Sequence, residues 1–127
     1  MPVDMLEVRS SPIHGRGVFA AAPIAKNDVF HVAHLLVFDS DQTQAVNATT
    51  LGCYVFHVED NPNGDGTSLT GLAMSPISFI NHSRTANAAF EVDAANRTIR
   101  FIAQRDIAQG EELTIDYGDF AARIGIE

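Results

Sequence analysis

The chain has 127 residues, of which 46% are apolar and 19% charged, the balance of one ordinary globular domain. Lys and Arg number 8 against 16 Asp and Glu, a formal charge of −8, so repulsion argues against a nucleic-acid partner and attraction favours basic partners. Cys53 is the only cysteine, which excludes an intramolecular disulfide and a thiolate zinc cluster.

The sequence carries no signal for a membrane span or a metal site. No apolar run approaches the ~20 residues that cross a bilayer. The first seven residues contain Asp4 and Glu7 in place of a basic and then apolar leader. The five histidines have no metal-ligand spacing. We therefore expect a cytoplasmic protein with no membrane partner and no bound metal.

The first half of the chain predicts short strands and little helix. Alternation at 6–9 predicts an edge strand, and the apolar run at 29–38 predicts one or two buried strands. The polar, Thr-rich stretch 40–51 favours at best a short helix. The segment 61–66 is rich in Asn, Gly and Pro and predicts a loop.

A single helical turn is predicted near the middle of the chain. Ser75 and Pro76 are typical of an N-cap and a first helical position. The apolar residues expected to line one side of this turn are Ile77, Phe79 and Ile80.

The last third of the chain predicts a hairpin and one further strand. Alternation at 88–92 and again at 98–103, separated by turn residues at 93–96, predicts a β-hairpin. Residues 113–117 predict one more strand, and Asp119 could cap a terminal helical turn. Many short strands with dense turn signals indicate a mostly β protein.

A weak internal similarity links residues 20–28 to residues 103–111. Each segment contains an Ile-Ala pair and a tight turn between two predicted strands. A shared β-turn-β unit explains the similarity without a repeat array, which would need at least about three copies.

The first motif is a pair of glycines. Gly15-Arg16-Gly17-Val18-Phe19-Ala20 matches G-x-G-x-x-G/A, which binds dinucleotides only between a strand and a helix. Pro23 follows within one turn, so no helix and no dinucleotide site are expected. Two interpretations stay open: a plain tight turn, or glycines that let the backbone approach a ligand closely.

The second motif is Ser78-Phe79-Ile80-Asn81-His82-Ser83, an apolar anchor followed by three polar side chains. These side chains can bind a ligand's heterocycle; alternatively, Asn81 and His82 are satisfied within a capped helix end. His82 could act as a general base, but no nucleophile elbow accompanies it.

The third motif is Glu111-Glu112-Leu113-Thr114-Ile115-Asp116-Tyr117-Gly118, which puts Asp116 and Tyr117 at the end of an apolar strand. A tyrosine hydroxyl in that position can handle a proton in a cleft. The alternative is a half-buried tyrosine whose hydroxyl lies in water.

The order and spacing of the three motifs resemble the SET domain of protein-lysine methyltransferases. The segment Ile13-His14-Gly15-Arg16-Gly17-Val18-Phe19 looks like that family's first motif, and F-I-N-H-S and E-E-L-T-x-D-Y-G follow in order. The likeness covers about residues 8–119. It implies one SET domain over 1–127, with a mostly β, β-clip-like fold of small curved sheets, few short helices and a knot-like C-terminal threading.

The resemblance also implies an activity: S-adenosylmethionine-dependent methyl transfer to a lysine of a basic protein, with histones among the candidate substrates. Backbone groups of Gly15, Arg16, Gly17, Val18 and Phe19 would hold the methionine part of the cofactor. Asn81 and His82 would bind its adenosine. The hydroxyl of Tyr117 would lie beside the sulfonium methyl group and the lysine nitrogen as the catalytic group. The residues implied to line the lysine channel are Tyr54, Ile115, Tyr117 and Phe120.

The chain departs from the family pattern in three respects. Arg84 and Ala86 stand where the family commonly has Cys and Pro, and the cysteine-rich zinc segment is not present. Phe120 with Ile124, or the second subunit of a homodimer, would then cover the channel. Ile115 replaces the family's usual Phe or Tyr and cannot hold a water against the lysine nitrogen, so we expect transfer of more than one methyl group.

Two functions therefore stay open at the level of the sequence. One is an active protein-lysine methyltransferase. The other is a catalytically weak or inactive SET module that binds the cofactor or a basic peptide.

Overall fold

The fold consists almost entirely of short strands. The computed structural model describes residues 6–13, 15–60 and 68–117. Within these ranges the strands are β1 Leu6–Ser10, β2 Arg16–Ala20, β3 Val29–Phe38, β4 Val55–Asp60, β5 Ser68–Ala73, β6 Asn81–His82, β7 Ala88–Asp93, β8 Thr98–Ala103 and β9 Glu112–Ile115. The helical elements are α1 Ser40–Asn47 and two 3₁₀ helices, Thr50–Cys53 and Pro76–Phe79. The predicted mostly β fold class is confirmed.

A four-stranded sheet has the order β1-β2-β9-β6. The first two strands form an antiparallel pair from Leu6↔Ala20 to Ser10↔Arg16, and β9 lies antiparallel to β2. At the far edge, β6 runs parallel to β9. The predicted edge strand at 6–9 is confirmed, because β1 is the outermost strand on its side.

A five-stranded sheet has the order β4-β5-β3-β8-β7. Strand β5 pairs antiparallel with both neighbours, so that Leu72 lies opposite Leu36 on one side and Val55 on the other. A register shift between His57 and Glu59 interrupts the β4–β5 ladder. Such a bulge bends an edge strand and increases its twist.

The chain divides into two compact units. The first comprises Met1–Val32, Phe79–Glu91 and Arg100–Glu127; the second comprises Ala33–Ser78 and Val92–Ile99. In the first unit the buried core contains Val18, Ile80, Phe101, Ile107, Leu113 and Ile115. In the second it contains Leu35, Phe56, Ala73, Ile77 and Ile99.

The two similar segments found in the sequence pair with each other. Ile24 and Ile107 form an antiparallel bridge, with N–H···O distances of 2.9 and 2.8 Å in the two directions. Hydrogen bonds on either side of this bridge also run in both directions. Ala20 donates to Glu111 and accepts from Gly110, and Ala103 donates to Asp28 and accepts from Asn27. The two copies of the β-turn-β segment therefore pair with each other within the first compact unit.

Several predicted elements are confirmed. Residues 29–38 form one strand, and 88–93 with 98–103 form neighbouring strands of one sheet. The weak helix predicted at 40–51 begins after Asp39, whose carboxylate accepts a hydrogen bond from the Gln42 amide while the Gln42 side chain accepts one in return. This capping box compensates for the polar composition of the helix.

Other expectations are wrong in detail. The glycine segment is not a turn beyond Gly15, because β2 begins at Arg16. Phe79 is 38% exposed, whereas Ile77 and Ile80 are buried. The strand predicted at 113–117 ends at Ile115.

Some strands have no counterpart among the predicted elements, and some predictions concern residues that the structure does not describe. Strands β4, β5 and β6 were not predicted. The loop at 61–66, the terminal turn after Asp119 and the C-terminal threading lie outside the described residues. Among the described residues, no helix has the length and apolar character that a membrane crossing requires.

Candidate active site

The parallel pairing of β6 and β9 brings the second and third motifs together. Asn81 lies opposite Thr114 and His82 opposite Ile115. The Ser83 amide continues the ladder by donating to the Ile115 carbonyl at 3.0 Å. The residues that follow β9 must therefore pass alongside the His82 side chain.

Tyr117 is held at two points beside this pairing. Its backbone N–H donates to Nδ1 of His82 at 2.8 Å. Its hydroxyl donates to the carbonyl oxygen of Ile80 at 2.5 Å. The His82 and Tyr117 rings lie 5.1 Å apart between centroids. Both ends of the tyrosine are thus fixed by the segment 80–82.

The same contacts define the tautomer of His82. Because Nδ1 accepts the Tyr117 amide hydrogen, a neutral ring carries its proton on Nε2. The side chain is fully buried, and Nε2 has no hydrogen-bond partner among the residues that the structure describes. An unpaired buried donor costs about 1–3 kcal/mol. On the other side of the ring, an Asp116 carboxylate oxygen lies 3.7 Å from Nδ1.

The glycine segment offers only its first residues to a ligand. Strand β1 pairs with β2 along one edge, and β9 pairs with it at Val18 and Phe19 along the other. Gly15 has a positive φ of 45°, which suits glycine, and a Cβ there would meet no atom of the described residues within 4 Å. The open end of the segment is therefore 15–16, because Gly17 is buried.

Asn81 connects this open end to the second motif. Its side-chain amide donates to the Arg16 carbonyl at 3.1 Å and to Oε2 of Glu112 at 2.9 Å. The residue is 7% exposed. Both amide hydrogens are thus used to join β2, β6 and β9.

Two glutamates at the start of β9 have different surroundings. Glu111 is paired with Arg105, whose hydrogen bond holds the pKa of the Glu111 carboxyl below its ordinary value. Smaller contributions in the same direction come from the Ala108 amide and the Asn87 side chain. The Glu112 carboxylate instead lies beside β2 and accepts hydrogen bonds from Ser11, which precedes β2, and from Asn81, which lies in β6.

The structure brings together most of the predicted site residues. The first unit contains the predicted cofactor residues Gly15, Arg16, Gly17, Val18, Phe19, Asn81 and His82, together with Ile115 and Tyr117. Ile115 is 1% exposed, and the Arg9 guanidinium lies 4.2 Å above the Phe19 ring. Tyr54 belongs to the second unit and Phe120 lies outside the described residues, so their channel role stays a prediction.

Three residues that organise this region were not predicted from the sequence. Ser11 lies before the first motif and carries no pattern that marks it. Glu112 could not be distinguished from Glu111 until their partners were known. Asn87 is 2% exposed and bonds to the β9 backbone through both ends of its amide, donating to the Glu112 carbonyl and accepting from the Thr114 amide.

No cluster of three or more metal-ligating side chains exists in the part of the chain that the structure describes. The site is built from backbone groups, one imidazole, one phenol and one carboxamide. These groups can orient polar and cationic atoms and restrict the motion of a bound molecule.

Comparisons with known proteins agree with this arrangement. The family model of the SET domain matches residues 15–118. The chain is 32% identical over 115 residues to the H3 lysine-37-specific histone-lysine N-methyltransferase of Schizosaccharomyces pombe, covering 90% of this chain and 74% of the relative. It is also 32% identical over 123 residues to an N-lysine methyltransferase of Danio rerio, covering 91% of this chain and 36% of the relative.

A solved structure has a similar fold. The Neurospora SET-domain protein DIM-5, a histone lysine methyltransferase, matches with a TM-score of 0.66 and 25% identity, over 88% of this chain and 51% of that one. The fold and the paired motifs define a SET domain. This chain belongs to the SET-domain family, as the resemblance in the sequence predicted.

Proposed function

We propose that this chain is an S-adenosylmethionine-dependent protein-lysine N-methyltransferase that acts on a basic protein. The observation that carries the proposal is the double anchoring of Tyr117, by its amide to His82 and by its hydroxyl to the Ile80 carbonyl. The relatives named as lysine methyltransferases support the same reaction class.

The residues of the site fit a cofactor of this kind. The open end at 15–16 gives a carboxylate or an ammonium access to the backbone, and the exposed Arg16 adds a positive charge nearby. The buried Nε2–H of His82 is a donor for a polar ligand atom. When bound, the cofactor supplies a methyl group activated by a sulfonium cation. Asn81 contributes by holding the glycine segment in place.

Tyr117 has the properties required of the catalytic group. Its hydroxyl hydrogen is used by the Ile80 carbonyl, and a phenol oxygen that donates keeps its lone pairs. Those lone pairs carry partial negative charge, which stabilises positive charge on a transferring methyl group. The hydroxyl can therefore orient the reacting atoms without giving up its proton.

The target lysine must react as a neutral amine, although its ordinary pKa is ~10.4. A buried position and a neighbouring cation both lower that pKa. Most of the rate enhancement then comes from alignment, which contributes about 7–11 kcal/mol at best. The chain's net charge of −8 favours the approach of a basic substrate.

The decisive experiment is incubation with S-adenosylmethionine labelled in its methyl group and a panel of basic proteins that includes histones. We expect label on lysine side chains, located by mass spectrometry, and none with Tyr117→Phe over the same period. Donor binding without transfer to any protein would favour the alternative, an inactive SET module. No donor binding and no transfer would contradict the proposed function and leave only a module that binds a basic peptide.

Four finer expectations accompany the proposal. Tyr54, Ile115 and Phe120 are expected to line the lysine channel with Tyr117. Since Ile115 has no hydroxyl, a saturated substrate should carry di- or trimethyllysine; a product that remains monomethylated would contradict this.

A homodimer that covers the channel should give twice the chain mass in light scattering. The 1–127 single-domain assignment predicts one cooperative unfolding transition.

A further inference from the structure

We propose that Ser11 and Glu112 are positioning residues that hold the glycine segment 15–17 against Asn81 and thereby set the affinity for the methyl donor. The proposal deepens the function proposed above and rests on it. Neither side chain is assigned a direct contact with the cofactor or with the lysine.

The Glu112 carboxylate collects donors from two distant segments. Ser11 Oγ lies 2.8 Å from both carboxylate oxygens, and the Asn81 amide lies 2.9 Å from Oε2. The second Asn81 amide hydrogen goes to the Arg16 carbonyl. One carboxylate therefore joins the segment before β2, the start of β9 and β6.

Ser11 also shapes the turn that leads into the glycine segment. Its hydroxyl oxygen accepts from the Ile13 amide at 3.0 Å. Its own amide donates to the Gly15 carbonyl at 2.8 Å. Through Ser11, the position of Glu112 is thus transmitted to Gly15, the residue with open space beside it.

Gly17 shows how closely the carboxylate approaches the segment. A Cβ at this position would lie 2.3 Å from Oε2 of Glu112 and 3.0 Å from the Ser11 Cβ. Only a residue without a side chain allows this approach. The second glycine of the motif therefore makes room for the Glu112 carboxylate.

The strength of the arrangement depends on the charge of the acceptor. Ser11 and Asn81 both donate, and an ionised carboxylate only accepts. In Glu112→Gln, which has nearly the same shape, the acceptor is neutral, so the hydrogen bonds from Ser11 and Asn81 lose their charge-assisted strength. The variant thus disturbs the position of 15–17 with little change of volume.

The test measures binding and turnover of the full-length chain. In Glu112→Gln we expect the dissociation constant for S-adenosylmethionine, from titration calorimetry, to rise about tenfold, since hydrogen bonds to charged groups are the stronger ones. The KM for the donor should rise in parallel while kcat stays within about twofold, because the Tyr117 anchors are separate. Amide hydrogen exchange at 15–17 should become faster.

Two further variants keep the test decisive. Ser11→Ala removes only the hydroxyl and should weaken donor binding by about threefold even if Glu112→Gln does not fold. Glu91→Gln changes the net charge equally at an exposed pair with Arg100 and should leave the dissociation constant unchanged.

The outcomes separate the two proposals. Wild-type affinity and exchange rates in both Glu112→Gln and Ser11→Ala would overturn the positioning role and leave the proposed function intact. A fall in kcat with an unchanged donor KM would also overturn it. A wild-type chain that binds no S-adenosylmethionine would overturn both proposals.

Discussion

At the scale of single residues, the site depends on how Tyr117 is restrained. A tyrosine at a strand end usually keeps some rotational freedom, and ordering a side chain costs conformational entropy. Here the amide is held by His82 and the hydroxyl by the Ile80 carbonyl. The cost of ordering the phenol is met during folding, so it need not be met again when a substrate binds.

Replacement of the hydroxyl tests this role directly. Tyr117→Phe should lower kcat by about 10²–10³-fold, because the lost oxygen is the group proposed to act on the reacting atoms. The dissociation constant for S-adenosylmethionine should stay within about threefold of the wild-type value, since the hydrogen bond from the Tyr117 amide to His82 is retained. Single-turnover kinetics and calorimetry measure the two quantities. An unchanged kcat would remove Tyr117 from catalysis.

The sequence predicted the important side chains better than it predicted their partners. Asn81, His82 and Tyr117 follow from motif order alone. Asn81 uses both of its amide hydrogens in hydrogen bonds within the protein, and His82 accepts from a backbone amide. The partner atoms lie 31 to 65 positions away along the chain. No local pattern records such distant contacts.

At the scale of elements, β9 is the strand on which the site is assembled. It lies between β2 and β6 and carries the chain toward Tyr117. The loop before β7 fixes its position through Asn87, whose amide acts as donor to the Glu112 carbonyl at 2.8 Å and as acceptor from the Thr114 amide at 2.9 Å.

Asn87→Ala should therefore be strongly destabilising. It leaves two backbone groups of β9 without partners at a position that is 2% exposed. We expect the free energy of unfolding, measured with urea, to fall by about 2–4 kcal/mol. The matched control is Asn96→Ala in the β7–β8 turn, where the one lost side-chain hydrogen bond to Asp93 is exposed, and a loss below about 1 kcal/mol is expected. Equal losses in the two variants would contradict the clamp.

The turn before β9 should make stability depend on pH. The Arg105 hydrogen bond lowers the pKa of Glu111 in the folded state below its ordinary value of 4.5. A lowered folded pKa stabilises the fold above the unfolded pKa, and this stabilisation is lost as the pH falls through the folded pKa.

Arg105→Gln should consequently reduce the fall in thermal midpoint on acidification from about pH 5 to about pH 3. The effect should be modest, because the pair is partly exposed and screened by water. Arg100→Gln removes the same charge from a different pair and serves as the control. An unaltered pH slope in Arg105→Gln would contradict the assignment.

The strands that were predicted have a regular alternation of apolar and polar residues. The strands that were not predicted depend on pairing with a neighbouring strand. β3 and the pair β7–β8 have regular apolar patterns. β5 contains Gly71, whose missing side chain accommodates Val58 and Leu35 and weakens the pattern. β6 has only two residues, and it is a strand solely because β9 lies beside it.

At the scale of the whole molecule, the excess of acidic residues is the property most relevant to a partner. A formal charge of −8 spread over 127 residues produces a negative field that attracts cationic peptides and is screened by salt.

The KM for a basic substrate should therefore rise with ionic strength. Between about 50 and 300 mM salt we expect an increase of about three- to tenfold, with kcat little changed, because the field acts on encounter and not on the aligned complex. A peptide with the same target lysine but neutral flanking residues is the control and should respond less. Equal salt dependence of the two peptides would show that net charge has no part in recognition.

The sequence by itself determined the family, the mostly β class and the identity of the motif residues, because motif order and strand alternation are properties of the chain read locally. Only the tertiary structure decided the hydrogen-bond partners. Ser11 donates to Glu112 and not to Glu111, and the Tyr117 amide donates to Nδ1 of His82 and so orients its ring. The physical reason is sequence separation. The Ser11–Glu112 contact joins residues 101 positions apart, and hydrogen bonding over that span exists only once the strands have paired.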